Sequence, residues 1–443
     1  MRAVPADRRK RIMALALPII GGMVSQNVLN LVDTAMVGVL GDEALAAVGM
    51  GGFVNFLASA FILGLGAGVQ AVSARRVGEG RDSETAVPLN GGILAALAVG
   101  IPWGVALFVL VPSVFPLLVD DVAVVDDGVP YLQARVCAIA AVAMNFSFRG
   151  FWNATDRPGL YMRTLLVMHA VNITLNWLLI YGKLGFPELG APGAGVASAI
   201  ATWVGTAYYF LLGSIHARKN GFLRGLPDLA TMKSIVKLSV PAGLTQTFFS
   251  GGMVALFWIV GQVGTAELAA ATVIINVMLV ALLPGLGFGL ASMSLVGQAL
   301  GRGDVEDARR WGWDVSKLAI ALVYAISLAG LVVPRLILGV FIHEPDTLEI
   351  AVWPLRLVAL FLGLDSAGLV LMNSLQGAGD STRVLLVATG LQWILFLPSA
   401  YVIGPLLGGG LTEIWIANIA YRAMQLVVFA AFWRGNAWTR IRM

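Results

Sequence analysis

The chain has 443 residues, 58% of them hydrophobic and 12% charged, with a mean hydropathy of +0.84 and a formal net charge of +4. A soluble domain of this size carries about twice that charged fraction. The apolar residues recur in blocks of roughly 20–30 separated by short polar breaks, which is the pattern of a polytopic all-α membrane protein and excludes a barrel of alternating strands. The basic pI, near 9.3, does not point to nucleic acid, because the positive charge lies in alternate loops. Cys137 stands alone and excludes an intrachain disulfide, while His169, His216 and His343 are scattered without metal-ligand spacing.

Twelve spans are expected, at 12–40, 45–74, 87–118, 128–152, 158–181, 193–216, 231–262, 267–299, 313–342, 347–375, 381–406 and 411–433. The breaks between them are rich in Gly, Pro or acids, such as Gly41-Asp42-Glu43, Asp120-Asp121, Pro187 and Gly408-Gly409-Gly410. The basic start, with Arg8, Arg9, Lys10 and Arg11, has no small-residue cleavage site after a short apolar core and is expected to be retained. With that start inside, the inner segments hold all but five of the 29 Lys and Arg, from Arg2 through Arg75, Arg76, Arg149, Lys219, Arg309 and Arg383 to Arg442. Lys183 alone lies in an outer loop, and Arg135, Arg335, Arg356 and Arg422 fall in spans or near their outer ends. This bias puts both termini in the cytoplasm and favours an even number of spans.

The two halves repeat. Pro18 meets Pro241, Gly41 meets Gly264, and Leu45-Ala46-Ala47 meets Leu268-Ala269-Ala270 at one constant offset; Arg135 then meets Arg356, and RTLLV from Arg163 meets RVLLV from Arg383. Each copy has an even number of spans, so the copies run parallel, related by an axis along the membrane normal. The expected domains are an amino-terminal six-helix lobe, 1–216, a cytoplasmic linker, 217–233, and a carboxy-terminal six-helix lobe, 234–443. The glycine runs Gly64-Gly66-Gly68 and Gly285-Gly287-Gly289 lie inside apolar spans with no strand before them, so they read as helix-packing surfaces and not nucleotide loops.

The first span carries Ser25, Gln26, Asn27, Asn30 and, about seven residues before its end, Asp33. A carboxylate at that depth is expensive; it faces a cavity or partner and can shed its charge by taking up a proton. Its repeat counterpart is Leu256, so the acid belongs to one lobe. Asn172 and Asn176 share a helix face in span 5, and Ser198 lies early in span 6. By the helical rise all four fall within roughly 15 Å of the outer surface. Together they offer a carboxylate, two amides and a hydroxyl able to hold a proton or a small hard cation; the asparagines alternatively serve only as glue between helices. Asp365 is the other acid well inside a span, open to a functional or a purely packing role, and Arg356, nine residues away, does not share its helix face.

These residues carry a resemblance. The opening LALPII, the segment NLVDTAMVGVLGDEALAAVG, the NxxxN of VNITLNWLLIYG, the GAGVAS of span 6, and RGFWNATDRP matched by NSLQGAGDSTR are similar to the multidrug and toxic compound extrusion (MATE) family over almost the whole chain. The VDTA motif resembles the DinF-type branch. The resemblance implies that Asp33 is the protonation or cation site with Asn172, Asn176 and Ser198 as partners, Thr202 being the competing hydroxyl. The NorM-type branch uses a second-lobe site with a glutamate in span 7, where this chain has Phe249; Asp365 matches that branch's span 10 acid. Gln26, Asn27, Asn30, Asn145 and Asp365 are candidates for a substrate cavity or second polar site, and Pro18 for a helix hinge.

The implied architecture is two six-helix bundles in a V around an alternately opening cavity. The implied protein is no enzyme: it is a monomeric inner-membrane antiporter, surrounded by lipid bilayer, that exports small amphipathic or cationic compounds. It has no cofactor beyond its coupling ion, H+ foremost, with Na+ at Asp33, Asn172 and Asn176 as the other option. A lipid-linked oligosaccharide flippase of the same broad superfamily is the alternative; it would need more cavity-facing cations than Arg135, Arg149, Arg356 and Arg422 provide.

Overall fold

The computed structural model describes residues 4–441, so Arg2 and Arg442 of the charge bias lie outside the described residues. Those residues form helices and connecting turns: α1 (Ala6–Gly38), α2 (Asp42–Ser59), α3 (Gly64–Gly78), α4 (Val87–Val114), α5 (Val122–Val136), α6 (Ile139–Ala154), α7 (Pro158–Ile180) and α8 (Gly190–His216) in the first half. The second half holds α9 (Leu229–Val263), α10 (Thr265–Gly301), α11 (Val305–Val332), α12 (Pro334–Leu338), α13 (Pro345–Gly377), α14 (Ser381–Gly390), α15 (Leu397–Tyr401) and α16 (Leu411–Arg434). Wide π turns at Leu391–Phe396 and Val402–Leu406 flank α15. Among the described residues, ten helical segments are long and apolar enough to cross a membrane, and two bent pairs, α2–α3 at 43° and α5–α6 at 47°, make twelve if each pair is one span.

The spans expected at 45–74 and 128–152 correspond to these two bent pairs. A bilayer core offers no water to a carbonyl freed by a broken ladder, so another group must take it. At both breaks a tryptophan does. Trp103 Nε1 donates to Ala58 O at 3.0 Å, and Trp203 Nε1 donates to Cys137 O at 3.3 Å. The first break also lets the backbone come close to α9: a Cβ on Gly64 would lie 2.2 Å from the Gly243 nitrogen. Both glycine runs are packing surfaces. A Cβ on Gly66 would meet Phe146 O at 2.7 Å, one on Gly285 would meet Ser366 Cβ at 2.9 Å, and one on Gly287 would meet Ile20 at 2.4 Å.

The chain divides into two compact units, Gly21–Gly243 and the residues up to Ile20 together with those from Leu244 onward. The boundaries expected from sequence, after 216 and before 234, follow the polar loop; the compact units instead change over inside α1 and α9, three residues past the repeat-related Pro18 and Pro241. In the first unit Phe148 stacks on Tyr209 with ring centroids 5.1 Å apart and meets Phe222 edge-on, beside the buried Trp152. The loop after α8 is held to α4 by Asn90, whose Nδ2 donates to Gly221 O and Gly225 O, each at 2.9 Å, while its Oδ1 accepts from Leu223 N. Arg76 of α3 donates to Thr231 at the start of α9.

In the second unit Arg8 ties the start of α1 to α11. Its guanidinium reaches Asp307 at 2.5 Å and Asp314 at 2.8 Å and lies over the Trp311 ring at 3.5 Å. Pro18 removes the hydrogen bond to Ala14 O, yet α1 runs unbroken through it.

Close α3–α6 packing sets a direct test. A Cβ on Gly150 would lie 2.3 Å from Gly66 O, backbone that cannot step aside, whereas one on Gly159 meets nothing within 4 Å. Gly150→Val is expected to destabilise the first unit by about 1–3 kcal/mol, read as a lower melting temperature in detergent. Gly159→Ala is expected to leave that temperature within error of the parent.

Candidate coupling site

One face of α1 runs Gly22, Ser25, Leu29, Asp33, Met36, a three-and-four spacing that keeps these residues in line. Gly22 lets α7 approach, because a Cβ there would come within 2.5 Å of the Tyr161 ring. Further along the same seam Ser25 Oγ lies 3.2 Å from His169 Nε2, and Tyr181 Oη donates to Met36 O at 2.6 Å. Between these contacts sits Asp33, half-buried, with Oδ1 accepting from Asn176 Nδ2 at 2.7 Å.

Pro158 at the first turn of α7 suits a position whose N–H has no helical partner. Asn172 and Asn176 follow about four and five turns along, one turn apart. Asn176 Nδ2 also donates to Asn172 Oδ1 at 3.3 Å, and Asn172 Nδ2 donates to Ser198 Oγ at 3.1 Å. Small residues on α8 set that last distance. A Cβ on Gly193 would meet Leu179 O at 2.7 Å and one on Gly205 would meet Met168 Sδ at 2.3 Å, so α8 lies tight against α7 and brings Ser198 within reach. Asn172 and Asn176 are 2% and 0% exposed, which leaves the amides no water to bond and makes the chain Asp33–Asn176–Asn172–Ser198 continuous through the interior. Asn176 Oδ1 is buried beside the carboxylate and has no partner among the described residues. Arg135 on α5 adds a longer-range attraction to Asp33.

The other polar candidates bond elsewhere. Gln26 Nε2 donates to Asn30 Oδ1 at 3.3 Å on the exposed side of α1, and Asn27 Nδ2 donates to Met23 O at 3.0 Å. Thr202 Oγ1 donates back to Ser198 O at 2.7 Å and so does not compete for Asp33. Asn145 on α6 accepts from Thr206 at 2.8 Å and donates to Thr202 O. Sequence reasoning passed over His169; its spacing of three and seven residues from Asn172 and Asn176 was the available signal. Leu256, the repeat counterpart of Asp33, is buried in an apolar cluster with Ile259 and Val260.

In the second unit, Asp365 is buried on α13, 3.6 Å from Arg422 Nη1 of α16. The Arg422 guanidinium also lies 5.4 Å from the Tyr421 ring and 5.9 Å from that of Phe249. Phe249 thus sits beside a cation whose charge Asp365 answers. Among the described residues no three His, Cys, Asp or Glu side chains converge as metal ligands do.

A family model described as MatE matches residues 18–178 and 241–402. The chain belongs to the MatE family. The two matched segments begin at Pro18 and Pro241, so each covers one copy of the repeat. MATE proteins are transporters, and this one is a transporter and not an enzyme. Similar relatives include the probable multidrug resistance protein NorM of Pseudomonas aeruginosa, 29% identical over 92% of this chain and 85% of that protein. The NorM of Thermotoga maritima is 27% identical over 98% of this chain and 93% of that one. A solved multidrug resistance MATE family transporter of the MOP superfamily, in an outward-facing conformation, superposes with a TM-score of 0.88 at 22% identity. It covers 96% of this chain and 95% of its own, a likeness of fold.

The pairing of Asp365 with Arg422 in this MATE chain gives a stability test. Removing one member of a buried ion pair leaves the other uncompensated, at about 3–5 kcal/mol, whereas removing both leaves no lone charge. Arg422→Met is therefore expected to lower the melting temperature more than the double variant Asp365→Asn/Arg422→Met. Equal losses in the two would show that the pair is not coupled.

Proposed function

We propose that this MATE chain exports small amphipathic, often cationic, organic compounds by alternating access in exchange for entering protons, with Asp33 as the coupling residue. The observation that carries this reading is the 2.7 Å bond from Asn176 to Asp33, a carboxylate inside a membrane-spanning helix held by buried amides. The NorM relatives named for multidrug resistance support the substrate class. The DinF-type branch, the inner membrane, cytoplasmic termini and a monomeric state are part of the same proposal, resting on the VDTA motif and the basic inner loops.

Deprotonated Asp33 is an acceptor for Asn176 and a counter-charge for a cationic compound. Protonated, it loses that charge and becomes a donor, which the unpartnered Asn176 Oδ1 can accept once the amide turns. The two states thus stabilise different arrangements of the α1–α7 seam, and such differential stabilisation is what couples two fluxes. Pro18 lies where α1 has one backbone bond fewer, a natural place for the helix to flex. A sodium ion gathers several oxygens; this cluster offers it one carboxylate and turns an amide nitrogen toward it, which favours the proton. The flippase alternative is weakened because Arg422 is paired with Asp365, Arg356 lies over the Trp353 ring and Arg149 over that of Phe146.

Asp33→Asn keeps the shape and cannot titrate. In proteoliposomes it is expected to reduce gradient-driven efflux of a cationic dye to the protein-free background, with expression unchanged. Asn172→Ala and Asn176→Ala are each expected to retain part of the rate, because they remove a partner and not the charge change. The ion is read from efflux under a pH gradient without sodium and under a sodium gradient at uniform pH. Activity confined to the sodium gradient would overturn the proton assignment, and undiminished efflux by Asp33→Asn would remove Asp33 from the mechanism.

A further inference from the structure

His169 lies in the α1–α7 seam, 8% exposed, on the α7 face that carries Asn172 and Asn176. Its protonation pattern follows from counting hydrogens. The Ser25 hydroxyl has one proton, and it is donated to Gly22 O at 2.9 Å. With that proton on Gly22 O, the oxygen facing His169 Nε2 at 3.2 Å is an acceptor, and the arrangement that satisfies both contacts assigns the ring hydrogen to Nε2. A neutral imidazole has a single N–H, which leaves Nδ1 as a bare lone pair. That nitrogen is buried and has no partner among the described residues. An unpaired buried acceptor is costly to keep and is uncommon in a packed interior.

We propose that His169 is a second proton-accepting residue of the seam, taking a proton on its open Nδ1 while Nε2–H stays on Ser25. This rests on the proton-coupled reading of Asp33 and adds a second exchangeable proton to it. The neighbouring elements bring few charges to bear. α1 presents Asp33, eight residues beyond Ser25 and so about 12 Å further along the axis at ~1.5 Å per residue. α7 presents Tyr161, on which Arg149 of α6 acts, and α8 presents Tyr209, bonded to Thr164. Among the described residues no carboxylate pairs with His169, so its proton is not committed to a fixed ion pair. The step is simple: a proton from water binds the Nδ1 lone pair and the ring becomes a cation with two N–H donors. An imidazolium in the seam attracts charged Asp33 and repels a cationic compound beside it. Binding of such a compound and protonation of His169 therefore exclude one another, as the exchange reaction requires.

The test counts protons. Ethidium is added to the purified full-length protein in weakly buffered detergent, and protons released per ethidium bound are measured. His169→Gln keeps a donor for Ser25 and cannot titrate; it is expected to halve the wild-type proton count, as is Asp33→Asn, and the double variant is expected to release none. A wild-type count from His169→Gln, with Asp33→Asn reduced, overturns the role of His169 and leaves proton coupling standing. No proton release from the wild type overturns the proton reading itself. A second measurement does not depend on the variant folding. His216 and His343 are exposed, so His216→Gln/His343→Gln leaves one histidine for nitrogen-15 labelling. Its ring is expected to be the Nε2–H form at high pH, to become imidazolium as pH falls, and to revert when ethidium is added. A ring that stays neutral while the protein remains folded, or that ignores ethidium, overturns the proposal.

Discussion

A carboxylate inside a membrane-spanning helix has to be held by something other than water. Asp33 is held by Asn176, Asn176 is backed by Asn172, and Asn172 by Ser198. Each link depends on helix spacing: the asparagines are one turn apart on α7, and α8 comes close enough for Ser198 only because glycines stand at 193 and 205. The small-residue sequence of α8 is thus as much a part of the site as the polar groups.

The same demand for partners explains the broken helices. Where α2–α3 and α5–α6 bend, indole N–H groups of Trp103 and Trp203 cover the freed carbonyls. The long polar loop obeys it too, pinned to α4 through both ends of the Asn90 amide. In the second unit the demand is met by pairing charge with charge, in Asp365–Arg422 and in Arg8 with Asp307 and Asp314. These are two solutions to one problem. A paired charge is fixed in place, whereas an acid hydrogen-bonded by neutral amides can change its charge without leaving a lone ion behind.

α1 joins these themes. Its start is tied by Arg8 to α11, and its later part is joined to α7 by contacts at Ser25, Asp33 and Met36. The bond missing at Pro18 lies between the tied start and the seam with α7.

The sequence by itself determined the fold class, because blocks of twenty or more apolar residues can satisfy their backbone in lipid only as helices. It also placed Asp33, Asn172, Asn176 and Ser198 at one depth, since rise per residue and face are set by helical geometry. Tertiary structure alone decided which of them touch. Gln26, Asn27 and Asn30 have the same chemistry as the cluster residues but bond along their own helix, and the rotation of α1 that turns them away is fixed by packing at Gly22. The partner of Asp365 was hidden for the same reason: Arg422 is 57 residues away on α16, and no periodicity within a helix reports a contact between helices. The breaks in α2–α3 and α5–α6 and the bare nitrogen of His169 were likewise out of reach, because each depends on which neighbour donates to which atom.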